Sequence, residues 1–168
     1  MDARPSPAEG RIRIETTDPD GRDSRWCLEQ YYAELVRRFD EGFDVGRSTV
    51  SDSAAYRPPA GAFLVARLGD RPVGCGALTL TSPRTAYIKR MWIDGSVRGM
   101  GLGRRMLTAL EGRARELGCD TAELETNRAL TAAIRLYESA GYEEVAPFNG
   151  EFYAHHWFRK TLADAERG

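Results

Sequence analysis

The sequence predicts an α/β fold built on a mixed, mostly antiparallel sheet of six or seven strands, in a single domain. Strand-like and helix-like patterns alternate along the chain in the order βα, βββ, αβ, αββ. The three central strand-like runs are joined by turns too short for a parallel crossover, which makes them an antiparallel meander. No repeat, low-complexity stretch or linker divides the 168 residues, and a chain of this length buries roughly 70% of its unfolded surface without metals or disulfides. An apolar content of 42% beside 29% charged residues supplies the core.

Residues Met1–Gly10 are polar, contain Pro5 and Pro7, and read as a flexible tail; 164–168 read as a second tail, leaving 11–163 as the domain. Arg11–Ile14 alternates as a strand. Across Ser24–Phe39, Leu28, Tyr32, Leu35 and Phe39 recur at helical spacing beneath a charged face carrying Arg37 and Arg38. Asp40–Gly61 has glycines, a Pro58-Pro59 pair and no sustained periodicity, so it reads as a long loop or one holding a short helix. Ala62–Leu68 and Val73–Leu80 are β-rich runs around the turn residues Gly69-Asp70-Arg71-Pro72, and Ser82-Pro83 leads to a third strand, Thr85–Asp94. From about Gly103, Met106, Leu107, Leu110, Ala114 and Leu117 form one stripe of a helix that Gly118 stops. Thr121–Thr126 reads as a strand and Ala129–Ala140 as a helix closed by Gly141. Tyr142–Val145 and Phe152–Leu162 are expected as the last strands, around Pro147-Phe148-Asn149-Gly150.

The chemistry concentrates where strand Thr85–Asp94 runs through Gly95–Gly103 into a helix. Glycines let backbone N–H groups converge without Cβ obstruction, and the first helical turn adds unpaired donors and a positive dipole end, so the segment reads as a phosphate site. Each helix-end effect is worth only about 0.3–1 kcal/mol, so affinity needs several N–H bonds together with Arg98, Arg104 or Arg105. A dinucleotide fingerprint beginning at Gly99 would require glycine or alanine where Arg104 stands, and would open a βαβ unit. A P-loop would require Gly-Lys-Ser/Thr where the chain has Gly103-Arg104-Arg105. Neither fits.

Arg98-Gly99-Met100-Gly101-Leu102-Gly103 instead resembles the R/Q-x-x-G-x-G/A signature of the GNAT superfamily of N-acetyltransferases. Leu136-Tyr137-Glu138-Ser139-Ala140-Gly141-Tyr142 is similar to its L-Y-x-x-x-G-F/Y element. The resemblance extends over nearly the whole chain, and implies helices on both faces of a sheet that splays where the cofactor enters. It also implies acetyl-CoA as co-substrate, with the backbone of Met91, Trp92 and Ile93 along the pantetheine arm and Arg98, Gly99, Met100, Gly101, Leu102, Gly103 and Arg104 around the pyrophosphate. Tyr137 is then the general acid for the departing thiolate. Glu125 resembles the general base of some members, with Glu123 two residues earlier on the same strand face. The chain departs from the family at Leu130, where many members carry asparagine, and Asn127 is left to cap the helix. Tyr32, Arg37, Arg38 and the loop holding Phe43 correspond to the border of the amine cleft, and Arg37 and Arg38 suggest an acceptor with a carboxylate. The implied activity is transfer of an acetyl group to a primary amine by direct attack. The alternative is a non-catalytic acyl-CoA-binding sensor or interaction module.

Bulk properties exclude other classes. A net charge of −1 gives no broad field for nucleic acid or membrane. Cys27, Cys75 and Cys119 lack the spacing of a zinc site or a disulfide framework, and His155 and His156, adjacent on a strand, point to opposite faces. No metal is expected. No apolar run approaches a membrane span of roughly 20 residues, and Met1–Gly10 lacks a signal core, so a cytoplasmic address is expected. The acceptor can be a small molecule or a protein, and a homodimer stays open.

Overall fold

The computed structural model describes residues 11–39, 42–44 and 53–162. In chain order it contains β1 (Ile12–Thr16), α1 (Arg22–Arg38), a 3-10 turn at Ser53–Tyr56, β2 (Gly61–Leu68), β3 (Arg71–Ser82) and β4 (Thr85–Ile93). A 3-10 turn at Gly95–Val97 follows, then α2 (Leu102–Glu116), β5 (Thr121–Thr126), α3 (Thr131–Ser139), β6 (Glu143–Val145) and β7 (His156–Thr161). The strands form one seven-stranded sheet in the order β1-β2-β3-β4-β5-β7-β6. Every neighbouring pair is antiparallel except β4 and β5.

The pleat of β2 explains why helices cover both faces. Phe63 and Val65 point into a cluster with Cys27 of α1, Tyr56, Cys75, Ala77 and Trp92. Ala62, Leu64 and Ala66 point the other way, toward Met106, Leu107 and Leu110 of α2 and Tyr137 of α3. A strand segment buried on both sides carries apolar residues at every position, which is why Ala62–Ala66 reads as an unbroken run.

The sheet opens between β4 and β5. The two pair only from Thr85–Tyr87 to Thr121–Glu123, while β5 continues along β7 to Thr126 and β4 continues along β3 to Ile93. Across β3, Ala77 faces Lys89 but Cys75 faces Trp92, so β4 holds one extra residue in between. Arg90 sits in that bulge with φ of 57°, a left-handed backbone that non-glycine residues seldom adopt. A bulge bends and twists its strand, and here it carries the second half of β4 away from β5.

At two boundaries a local hydrogen bond explains the departure from the sequence reading. β7 begins at His156, not Phe152, because Asn149 Oδ1 accepts from Glu151 N–H at 3.2 Å and Glu151 O accepts from Ala154 N–H at 3.2 Å, folding the segment into turns. α3 begins at Thr131, not Ala129, because Asn127 builds its own turn, its Oδ1 accepting from Ala129 N–H at 2.8 Å and its carbonyl from Leu130 N–H at 3.0 Å. Asn127 therefore shapes the approach to α3 rather than capping it; Leu130 holds the cap position without a side-chain bond. Within Asp40–Gly61, Ser53–Tyr56 forms the short helix that one reading allowed. The remaining expectations for Asp40, Glu41 and 45–52, and for both tails, lie outside the described residues.

Candidate active site

Two cavities meet at the split in the sheet. The larger, about 470 Å³, runs along the free edge of β4 at Met91, Trp92 and Ile93, past Arg98, Gly99 and Gly101, and over the start of α2 to α3. The smaller, about 120 Å³, lies between α1 and the opened strands, and includes Tyr31, Tyr32, Lys89, Arg90, Glu125 and Tyr137. Tyr31, Leu35, Met91, Leu130, Ala133 and Tyr137 line both. Tyr31 comes from the face that α1 covers and Tyr137 from the opposite face; only the opened sheet lets them share a wall.

In the larger cavity the glycines differ in role. Gly99 and Gly101 have φ of +83° and +75°, and a Cβ on either would meet nothing within 4 Å, so both are there for backbone shape and for open space above it. Gly101 is the N-cap of α2, and Arg105 N–H to Gly101 O at 3.1 Å is the first intrahelical bond. The N–H groups of Leu102, Gly103 and Arg104 precede it, the orphan donors of a helix start. A Cβ on Gly103 would stand 3.3 Å from Leu136 Cδ2, so Gly103 lets α2 approach α3. Arg98 bonds Glu34 of α1 and reaches Ile93 O at 3.3 Å, and Arg104 donates to Ser139 Oγ at 2.6 Å. Both line the cavity, with Leu102. Met100 packs its side chain against the core instead, and Arg105 donates to Ile12 O at 2.8 Å, tying α2 to β1.

In the smaller cavity the chemistry centres on Glu125. Its Oε1 accepts from the Tyr87 hydroxyl, which accepts from Asn149 Nδ2 at 3.3 Å, and Asn149 Oδ1 accepts from Trp157 Nε1 at 2.9 Å. Its Oε2 is buried without a hydrogen-bond partner. Burial outweighs the Tyr87 bond and raises the carboxyl pKa from 4.5 to about 7. A carboxylate held by a relay on one oxygen and bare on the other, titrating near neutrality, is equipped to take a proton. Glu123, its neighbour on the strand, is committed elsewhere, accepting from Arg159 at 3.0 and 2.8 Å.

Tyr137 is 8% exposed and its ring meets Tyr142 and Phe158 at about 6 Å. Its hydroxyl makes no hydrogen bond among the described residues, and burial pushes the phenol pKa up, so the proton stays on the oxygen. Tyr32 and Phe43 stack at 6.0 Å and both border the smaller cavity, as the sequence suggested. Arg37 and Arg38 do not reach it: Arg38 pairs with Glu34 at 3.1 Å, and Arg37 lies on an outer cleft beside it. His155 Nδ1 accepts from Arg128 N–H at 3.1 Å and His156 pairs with Glu144 at 2.9 Å, so both serve the local structure. Sequence reasoning missed Arg90, Tyr87 and Asn149. The signal for Arg90 was a charged pair, Lys89-Arg90, inside an otherwise apolar strand; nothing local marked the other two.

Among the described residues there is no group of His, Cys, Asp and Glu that could hold a metal, and no helix is long and apolar enough to cross a membrane. The profile of the Acetyltransferase (GNAT) family matches residues 28–142. The IAA acetyltransferase of Azospirillum brasilense is 32% identical over 123 residues, covering 73% of this chain and 80% of that protein. An acetyltransferase of the GNAT family from Staphylococcus aureus superposes with a TM-score of 0.75 at 18% identity, over 90% of this chain and 99% of that one. The yncA structure from Salmonella typhimurium, which holds acetyl-CoA, does so with a TM-score of 0.68 at 18% identity, over 91% and 95%.

Proposed function

We propose that this chain, which belongs to the GNAT acetyltransferase family, moves the acetyl group of acetyl-CoA to a primary amine by direct attack. The observation that carries the reading is the meeting of a glycine-lined groove and a carboxylate-bearing cavity at Tyr137. The groove suits acetyl-CoA: positive-φ glycines with open space above them, the start of α2, and the guanidinium groups of Arg98 and Arg104 form a cradle for phosphates. The unpaired edge of β4 at Met91–Ile93 offers backbone groups to the pantetheine amides.

When bound, acetyl-CoA supplies an activated thioester. An alkyl amine with a pKa near 10.4 arrives protonated at pH 7. Glu125, half ionised at that pH, takes the proton on its bare Oε2, while the Tyr87–Asn149–Trp157 relay holds the carboxyl in place. The Tyr137 hydroxyl, kept protonated by burial, gives its proton to the sulfur as the C–S bond breaks, and the second proton of the attacking nitrogen returns to its oxygen. The two cavities hold the amine and the thioester in one geometry, and this positioning lowers the barrier further. Direct attack fits the placement of the cysteines, none of which lines either cavity. Cys27 and Cys75 lie in the core beneath α1, their thiols toward Gly74 O and Arg90 O.

Calorimetry with CoA, followed by thiol release from acetyl-CoA in the presence of an amine panel, tests the proposal. Saturable CoA binding with amine-dependent thiol release supports it. Binding without turnover of any amine would make the chain an acyl-CoA sensor, and absence of CoA binding would overturn the groove assignment.

A further inference from the structure

We propose that the acceptor carries a carboxylate beside its amine, as a small amino acid or close derivative does, and that Arg90 holds that carboxylate; this rests on the acetyl-transfer reading above. Arg90 lines the smaller cavity and is 8% exposed. A guanidinium does not shed its proton in a protein, so burial leaves it charged. Among the described residues Arg90 makes no side-chain hydrogen bond and no ion pair; its guanidinium lies over the Tyr56 ring, 4.8 Å from the centroid. A contact with a ring satisfies the charge in part but accepts no conventional N–H···O bond, so the N–H groups keep their capacity for an anion.

Among the described residues, a second deeply buried charged side chain is treated differently. Glu111, 5% exposed, accepts from Tyr142 Oη at 2.8 Å and from Lys160 Nζ at 3.1 Å. A buried ion without its partner is costly, so the unpaired one facing a cavity marks where a ligand charge belongs. The carboxylates of the same cavity do not serve: Glu125 is engaged by Tyr87 and faces Lys89, and neither it nor Glu151 pairs with Arg90. Burial lowers the pKa of Lys89, and the neighbouring Arg90 charge adds to the shift.

The position of Arg90 also defines the acceptor. It stands on the β4 side of the split, close to Tyr31 and Tyr32 of α1, and Glu125 stands on the β5 side. An acceptor whose amine reaches Glu125 while its carboxylate reaches Arg90 spans the opening, and the cavity of about 120 Å³ admits a small molecule. The bulge that opens the sheet is also what turns Arg90 into the cleft.

The experiment compares each proteinogenic L-amino acid with its α-carboxamide as acceptor, for wild type, Arg90→Gln and Arg90→Lys, and repeats the comparison as binding by calorimetry to the CoA-saturated protein. Wild type should prefer at least one carboxylate over its carboxamide by roughly 10²-fold in kcat/KM, the discrimination expected when a buried charged donor is left unpaired. Arg90→Gln should erase that preference, read as the ratio of carboxylate to carboxamide kcat/KM within each variant, while CoA affinity stays close to wild type. Arg90→Lys, which keeps the charge and loses the fork, should retain part of it and guards against a Gln variant that fails to fold. Turnover without carboxylate preference, or a preference that survives Arg90→Gln, overturns the inference and leaves acetyl transfer standing. Arg90-dependent binding of amino acids without turnover of any of them overturns the enzyme reading and the acceptor with it, and leaves Arg90 as the carboxylate contact of a binding module.

Discussion

Replacing Glu125 with glutamine keeps the shape of the side chain and an oxygen for the Tyr87 hydroxyl, and removes only the capacity to accept a proton. With a pKa of about 7, the wild-type carboxyl is about one-tenth ionised at pH 6 and about nine-tenths at pH 8. The free-amine fraction of the substrate also rises with pH, but equally for both proteins, so the informative quantity is the wild-type to Glu125→Gln ratio of kcat/KM. It should climb about tenfold from pH 6 to pH 8, level off, and reach roughly 10²–10⁴ at the plateau, the range of positioned general bases. Stability gives a second reading of the same group. Because the folded-state value lies above 4.5, the folded protein holds the proton where the unfolded chain releases it, so wild type loses stability as pH rises from about 4.5 through about 7. The loss approaches an upper bound of about 3 kcal/mol. Glu125→Gln does not titrate, and its melting temperature relative to wild type should rise across that window. The assays are steady-state thiol release across pH 5.5–9 and thermal unfolding over pH 4–8. A ratio independent of pH, or a variant within about threefold of wild type throughout, would refute the assignment of Glu125 as base.

Tyr137→Phe keeps the ring against Tyr142 and Phe158 and deletes the hydroxyl; kcat should fall about 10–100-fold with CoA affinity nearly unchanged, as read by kinetics and calorimetry. An unchanged kcat with chemistry rate-limiting would make Tyr137 a core tyrosine. Gly101→Asp meets no protein atom with its new Cβ, so the cost to the fold is confined to the left-handed backbone, roughly 1 kcal/mol, while CoA binding weakens about 10²-fold because bulk and negative charge enter the phosphate cradle. Normal CoA affinity in that variant would disprove the cradle. Asn149→Ala removes the donor to the Tyr87 hydroxyl and should lower kcat about 3–10-fold while shifting the Glu125 titration seen in the pH profile; an unmoved profile would show that the relay ends at Tyr87.

Local pattern carried much of this protein. The unbroken apolar run of β2, the stripe of α2 and the glycines at 99 and 101 are short-range facts, because side-chain pattern and the φ angles open to glycine depend on a few neighbouring residues. The resemblance read from Arg98–Gly103 and Leu136–Tyr142 pointed to segments that the fold brings to the walls of one cavity. Boundaries slipped where a side chain competes for the backbone, as Asn127 does before α3 and Asn149 before β7. Glu125 could be named from its strand position, but its pKa could not. Desolvation comes from α1, β4 and the turn after β6 closing around it, and its relay joins Tyr87, Asn149 and Trp157, distant in sequence. Arg37 and Arg38 looked like the acceptor's anion site because they lie on the right helix; in the structure Arg38 pairs with Glu34 and lines the larger cavity, Arg37 lies on an outer cleft, and Arg90 lines the smaller cavity. That exchange rests on one extra residue in β4, a left-handed backbone at Arg90 and a sheet that parts after Tyr87. Each is a property of strand pairing across the whole domain. Composition and period determined which residues could build the sheet, and only the folded sheet decided which charge faces the cavity unpaired.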